Sequence, residues 1–255
     1  MSIPDGPGAF FTGIGDALYA SVIEAGRWRF YLDGLVNTLI MAAIAAMVGV
    51  FIGLVLAVLK VSRQNLSPVK PKGLRGRAGR LFILLGGRFA NLYTTVIRGT
   101  PVLVQLIILY FGVFGFAPRE YSIFIAGFCF GVNSGAYVCE IIRAGIQSVD
   151  RGQTEAGRSL GLSSAATMRL IVLPQAAKNI LPTIFNEFIT LLKETSIAGY
   201  IALDDLTRSG EVIRSRVWTV TPLVVVGLIY LALVILLTWL QTLLERRLGA
   251  SDRRL

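Results

Sequence analysis

Apolar residues fall along this chain in five long blocks separated by shorter polar stretches, a spacing that predicts a bundle of membrane-spanning helices. The first block, Leu35 to Leu59, can cross a ~30 Å hydrocarbon layer at about 1.5 Å per residue. Within it, Gly49 and Gly53 form a small-xxx-small pair, read either as a close-packing face or as chance in a glycine-rich chain. The next apolar run, Leu81 to Phe116, is longer than one crossing needs and is interrupted by Arg88 and Arg98. It divides into a segment packed against the bundle, Phe89 to Ile97, and a span over about 96–117 whose core begins at Pro101. Pro118-Arg119-Glu120 makes a turn, and the remaining spans are expected at about 121–142, 176–201 and 219–243.

Residues 1–30 are too broken to span. Phe11, Ile14, Leu18 and Val22 recur at helical spacing with Asp16 and Glu24 off the stripe, which predicts an amphipathic helix lying at an interface; a poorly ordered tail is the alternative. Trp28, Phe30 and Tyr31 read as an aromatic anchor at a membrane face. The chain therefore divides into an N-terminal segment (1–32), one membrane domain (33–245) and a basic tail (246–255).

Composition agrees with a membrane class. Hydrophobic residues make up 54% of the 255 positions and the mean hydropathy is +0.68, above the ~45–50% of soluble domains. The net charge of +10 is concentrated between apolar blocks. Lys60, Arg63, Lys70, Lys72, Arg75, Arg77 and Arg80 come with no acidic residue, and Pro68, Pro71, Gly73, Gly76 and Gly79 mark that stretch as a loop. Basic loops face the cytoplasm, so the N-terminus is expected outside and the C-terminus, with Arg246, Arg247, Arg253 and Arg254, inside. The 208–216 stretch is mixed in sign and gives little guidance. The charge is thus topological, with no nucleic-acid partner; contact of the 60–80 loop with anionic membrane lipid is a secondary possibility. No basic segment precedes Arg27, so a cleaved signal peptide is not expected. Cys129 and Cys139 share one span about 15 Å apart and read as small buried residues. The chain has no histidine, which excludes the usual catalytic triads and histidine metal sites.

Between the third and fourth spans, residues 143–173 are mixed polar. Thr154 to Leu160 can form a short helix, with Gly152 before it and Gly161 as C-terminal stop. A short rigid helix in such a loop is a peg that another subunit can grip. The spacing of Glu155-Ala156, Gly161 and Ile171-x-Leu173-Pro174 resembles the EAA motif of ABC-importer permeases. That family usually has Ala at the third motif position; Gly157 keeps the small side chain and lowers helix stability by about 1 kcal/mol. The resemblance implies a coupling helix over about 152–164, with Gly152, Gln153, Glu155, Ala156, Gly157, Gly161 and Leu162 as contact or shape residues that dock in an ATPase subunit.

Further segments resemble the polar amino acid uptake permeases, which serve histidine, arginine, glutamine or glutamate, and cystine. They are Gly34-Leu35-x-x-Thr38-Leu39, Arg98-Gly99-Thr100-Pro101 with Leu103-Val104-Gln105, Gly135-Ala136-Tyr137-x-x-Glu140-Ile141-x-Arg143, Gly152-Gln153-x-Glu155-Ala156, Pro174-Gln175-Ala176, Leu181-Pro182 and Lys193-Glu194-Thr195-Ser196. The likeness covers about residues 33–245; the 60–80 loop and the 1–30 extension depart from it. It implies an all-α integral membrane protein with five transmembrane helices in a type I ABC importer permease fold, in a prokaryotic inner membrane. It also implies two ATPase subunits that bind ATP and Mg, a solute-binding protein outside, and an amino-acid substrate. No cofactor is expected in this chain, and no metal.

Ionisable residues within a bilayer cost several kcal/mol and default to function. Lys193 and Glu194 lie in the outer half of the fourth span, where a zwitterionic amino acid offers a carboxylate and an ammonium group; Thr195 and Ser196 add neutral hydrogen-bond groups. A structural Lys–Glu pair is the alternative. Glu187 faces another side of that helix, and Tyr137 and Asn133 are weaker candidates for the path. Arg98 with Glu140 or Arg143, next to Thr100 and Pro101, forms either a gate or a brace.

The chain lacks a G-x-x-x-x-G-K-[ST] phosphate loop, so any ATP hydrolysis is done by another polypeptide. Five spans are too few to enclose a polar path, which calls for a second permease copy, identical or not. Two rivals remain. An ion-driven secondary transporter predicts inverted repeats with matched broken spans, and none is visible. A membrane scaffold would not need charges in the fourth span.

Overall fold

The computed structural model describes residues 13, 15–66 and 73–249, and every regular element among them is helical. The principal helices are α1 (Trp28–Gln64), α2 (Leu74–Arg98), α3 (Val102–Ile107), α4 (Ser122–Gln147), α5 (Arg151–Ser159), α6 (Ser164–Thr167), α7 (Leu173–Glu194), α8 (Leu206–Val217) and α9 (Thr221–Gly249). A π-helical segment, Ile108–Val113, prolongs α3; another, Met168–Val172, joins α6 to α7.

Among the described residues three helices are long and apolar enough to cross a membrane: α1, α4 with its leading turn, and α9. The pair Leu74–Arg98 and Val102–Val113 makes a fourth if its arms are one span, but they meet at 109°. Pro101 causes the break, since it has no N–H to continue the α2 ladder. The expected fourth span is present as α7, 22 residues long. It is missing from the apolar set because it carries Lys178, Asn179, Asn186, Glu187, Lys193 and Glu194. Such a face needs water or protein against it, not lipid.

The α1–α4 contact is the spine, and glycine makes it possible. A Cβ added at Gly53 would meet Val138 Cβ at 2.6 Å, and one at Gly49 would meet Ser134 at 3.0 Å, so this pair is a close-packing face. The α4 side contributes a reciprocal stripe, Gly127, Gly131 and Gly135, against Ile44, Val48 and Ile52. Backbones without Cβ atoms approach closely and gain dispersion contacts where lipid supplies no hydrophobic drive. At Gly131 an added Cβ would lie 2.6 Å from Val48 Cβ and 3.0 Å from the Ala45 carbonyl oxygen. Gly131→Val is expected to cost about 1–3 kcal/mol by overpacking. Thermal unfolding in detergent measures this; an unchanged midpoint would contradict the close-packed spine.

A separate layer forms at the α8 end. Tyr31, Leu206, Ile213 and Val226 make its core, with Val22 packed beside them. Tyr31 is therefore a core residue, not an interfacial anchor, and its hydroxyl donates to the Ser21 carbonyl at 3.4 Å. Trp28 and Phe30 remain exposed. Of the N-terminal stripe, Leu18 is exposed and Val22 faces inward, within a π-helical turn, Tyr19–Ile23; Phe11 and Ile14 lie outside the described residues.

Asp205 starts α8. Its carboxylate accepts from the Thr207 and Arg208 amides at 2.9 and 3.1 Å, which satisfies helix-terminal donors. The side chain is fully buried, and that burial pushes its carboxyl above the ordinary range while the two amides pull it back. A raised folded value stabilises fully below the ordinary Asp pKa, and this contribution is lost as pH rises through the raised one. Asp205→Ala is expected to cost about 1–2 kcal/mol at neutral pH. Asp205→Asn keeps the cap without the buried charge, so its unfolding temperature should match or exceed wild type at pH 7 and vary less with pH. Equal behaviour of the two variants would contradict the capping role.

Candidate functional site

Two regions hold the residues singled out from sequence. The first is α5. Asp150 caps it, accepting from the Gly152 amide at 2.6 Å. Gly161, at φ +84°, ends it in the left-handed conformation that glycine adopts freely. The helix is narrower than the 152–164 range, because 160–163 form a turn before α6. Gly152, Gln153, Glu155, Ala156, Gly161 and Leu160 are exposed, Leu162 is half-buried, and Gly157 is the one buried residue of α5.

Gly157 is the pivot of that arrangement. A Cβ there would stand 2.8 Å from Ile171 Cδ1 and 3.0 Å from Thr167 Cγ2. The third motif position thus sets how closely α5 rests on α6 and the π-helical turn, beyond the effect on helix propensity read from sequence. Gln175 ties the same parts together, donating to the Ile171 carbonyl at 3.0 Å and to Gln153 Oε1 at 3.4 Å. The π-helical turn on which α5 rests runs without a break into α7, which begins at Leu173.

The second region is a polar cavity of about 610 Å³ between α2, α4 and α7. Arg98, Tyr137 and Glu140 stand on one side; Asn179, Thr183, Asn186 and Glu187 line the other. The Arg98 guanidinium lies 5.4 Å from the Tyr137 ring centre, within cation–π range. Glu187 Oε1 accepts from Ser134 Oγ at 3.1 Å. A neighbouring cavity of about 690 Å³ shares Arg98, Tyr137 and Glu140 and adds Lys60 and Thr94.

Of the gate or brace expected from Arg98 with Glu140 or Arg143, a brace is present, but it runs through Glu140 and Arg143 without an Arg98 ion pair among the described residues. Glu140 is held by Lys60 and by Arg143, the latter at 2.8 Å. Lys60 is buried in α1, where it also donates to Thr94 Oγ1 at 2.6 Å, and so does not belong to the basic loop. Arg143 continues to Gln147, whose amide donates to Gln64 Oε1 at 3.0 Å. This brace ties α1, α2 and α4 together beside the cavity.

Thr100 and Pro101 belong to the α2–α3 break. The Thr100 hydroxyl donates to the Val96 carbonyl at 2.9 Å. Gln105 reaches back to the Ile97 and Thr100 carbonyls at 2.7 and 3.0 Å, satisfying oxygens that the break exposes. Asn133 donates to Gln105 Oε1 at 2.8 Å and is buried, so it stabilises the break and does not face the cavity. Among the fourth-span residues Lys193 is exposed and Glu194 half-buried. Thr195 is fully buried and donates to the Leu192 carbonyl at 2.7 Å. Ser196 lines a separate cavity of about 220 Å³ with Arg208 and Glu211. These four do not converge on one site.

Sequence reasoning missed a polar stripe on α7. Gln175, Asn179, Thr183, Asn186, Thr190 and Lys193 recur every three or four residues, and all but the half-buried Thr190 are exposed. The spacing is legible in the sequence, but these residues are neutral apart from Lys193 and carry no charge signal within the span.

The family model of binding-protein-dependent transport system inner membrane components matches residues 81–250. The arginine transport system permease protein ArtQ of Bacillus subtilis (strain 168) is 39% identical over 227 residues, covering 88% of this chain and 94% of the relative. A putative glutamine transport system permease protein of Rickettsia conorii is 36% identical, covering 86% and 93%. The crystal structure of an amino acid ABC transporter with histidines superposes with a TM-score of 0.73 at 35% identity, covering 97% of this chain and 100% of that one. A methionine ABC transporter in an inward-facing form shares the fold, with a TM-score of 0.70 at 17% identity.

Proposed function

This chain belongs to the family of binding-protein-dependent transport system inner membrane components, and from that membership we propose how its parts divide the work of import. It is the permease subunit of an amino-acid ABC importer, a multi-pass protein of the inner membrane that transports and is not itself an enzyme. The proposal concerns cargo, path and partners. The cargo is a polar amino acid, the class to which the arginine and glutamine in its relatives' names belong.

The path runs along the polar face of α7, past Arg98, Tyr137 and Glu187, and a second permease copy closes it. One chain exposes this face, and a zwitterion needs polar walls all round to leave water at a bearable cost. The two copies sit on a pair of ATPase subunits that bind ATP and Mg, each gripping one α5. The α5 end faces the cytoplasm, so the N-terminus is outside and the C-terminus inside, and a solute-binding protein delivers at the α8 end. ATP closes the ATPase pair, α5 moves with it, and the π-helical turn passes the displacement to α7, which changes the side from which the cavity is open.

The observation carrying this reading is that α5 is exposed at every position but Gly157, which packs on the bundle, with Gln153 held by Gln175 as a further tie. Isolated helices this short are marginal in water, so a capped, exposed one in a loop is suited to a second protein. The test is the ATPase turnover of the detergent-purified complex. Turnover should rise when the binding protein and its amino acid are added together. No rise with any polar amino acid would count against it.

A further inference from the structure

We propose that the outward face of α2 is a binding surface for anionic phospholipid headgroups in the cytoplasmic leaflet. Between positions 60 and 88 the chain has eight Lys or Arg and no Asp or Glu. Helix α2 itself carries Arg75, Arg77, Arg80, Arg88 and Arg98 without one acidic residue. Arg75, Arg77 and Arg88 are exposed and have no acidic partner among the described residues.

These charges flank an apolar stripe. Leu81, Phe82, Leu85, Phe89 and Leu92 are each more than half exposed. Phe82, Leu85, Phe89 and Leu92 follow one another at three- and four-residue steps, which places them in one row on the helix. Arg77 and Arg88 are 11 residues apart, about three turns, and so share one flank of the row; Arg75 falls on the other. The opposite side of α2 buries Gly87, Ala90 and Thr94.

The helix is also placed at the right level. A Cβ at Gly87 would meet the stem of Arg63, in the last turn of α1, and Lys60 bonds Thr94. The first half of α2 thus stands where the apolar run of α1 gives way to polar residues. Water does not suit a row of exposed Phe and Leu, and the bilayer centre does not suit arginines. The headgroup boundary suits both: the row enters the acyl region while the guanidinium groups reach lipid phosphates, which arginine can bind through two parallel hydrogen bonds. The turn holding Arg75 and Arg77 precedes residue 81, where the family model's match begins. An acidic face of the ATPase subunit would answer the charge but not the apolar row.

The test uses the assembled complex in detergent, titrated with phosphatidylglycerol or phosphatidylcholine and read by native mass spectrometry. Wild type should retain phosphatidylglycerol about tenfold over phosphatidylcholine, with the preference falling as salt rises. The triple variant Arg75→Gln, Arg77→Gln, Arg88→Gln should lose that preference while its assembly and thermal midpoint stay the same. The matching triple Lys variant should keep it. Equal retention of the two lipids by wild type, or an unchanged preference in the Gln variant, would overturn the proposal. So would a Gln variant whose defect is loss of the ATPase subunit at constant lipid, because the surface would then belong to that partner.

Discussion

Glu155→Arg should abolish stimulation of ATP hydrolysis by the binding protein and its amino acid while leaving the membrane bundle intact. Glu155 is exposed on α5, whose one buried residue is Gly157, so the substitution disturbs no packing within this chain. Only the surface that we propose docks in the ATPase subunit is changed. A charge reversed within an interface costs several kcal/mol, and about 1.4 kcal/mol is already a factor of ten. The expected loss of stimulation is therefore more than about tenfold. The complex is purified, assembly is checked by size exclusion, and turnover is measured with and without loaded binding protein. Wild-type stimulation in an assembled variant would remove α5 from the coupling path.

The largest effect on stability is expected at Glu140. Its carboxylate is the centre of the brace, held by Lys60 and Arg143. Glu140→Leu leaves the Lys60 ammonium buried with only the Thr94 hydroxyl as a partner. Breaking a buried pair from one side costs about 3–5 kcal/mol, because the remaining charge is uncompensated. Replacing both partners by apolar residues is often nearly neutral. Lys60→Met combined with Glu140→Leu should therefore recover most of the midpoint that Glu140→Leu loses. Thermal unfolding of single and double variants measures the coupling. Additive losses would show that the two residues act separately. The double variant should also transport poorly despite its recovered stability, because Glu140 lines the cavity that Arg98 and Tyr137 share.

The general architecture was legible because it follows from where apolar blocks and basic clusters fall. Helix α5 was legible for another reason: its C-terminal stop is local chemistry. Gly161 acts within a few residues of what it caps, a signal that survives in one dimension, whereas the equally local Asp150 N-cap was passed over for Gly152. The brace was hidden because Lys60 sits at the junction between an apolar block and a basic loop, and proximity in sequence assigned it to the loop. Its partner Glu140 is 80 residues away, so pairing depends on how α1 and α4 pack. Gln105 and Asn133 were obscured in the same manner. From sequence Gln105 belongs to a family-like segment and Asn133 is a candidate for the path; in the fold Gln105 bonds the carbonyls of the Pro101 break and Asn133 holds Gln105.

The four residues that close the fourth span divide in the structure. Lys193-Glu194-Thr195-Ser196 is contiguous in sequence, but consecutive residues on a helix point about 100° apart and cannot share one wall. Thr195 turns into the core and Ser196 toward α8. The polar stripe from Gln175 to Lys193 follows helical spacing and faces outward as a unit. It also accounts for α7 falling short of the apolarity of a lipid-facing span. That same shortfall argues for a second copy, since the exposed polar face must be covered by protein or water.

The central claim is that this chain imports an amino acid at the expense of ATP hydrolysed by a separate subunit. The most direct measurement is uptake of a labelled polar amino acid into proteoliposomes containing the complex, with binding protein outside and ATP inside. The account predicts accumulation against a gradient that requires internal ATP and persists when ionophores collapse every ion gradient. Accumulation that needs no ATP and disappears with the ionophores would contradict it and identify an ion-driven carrier.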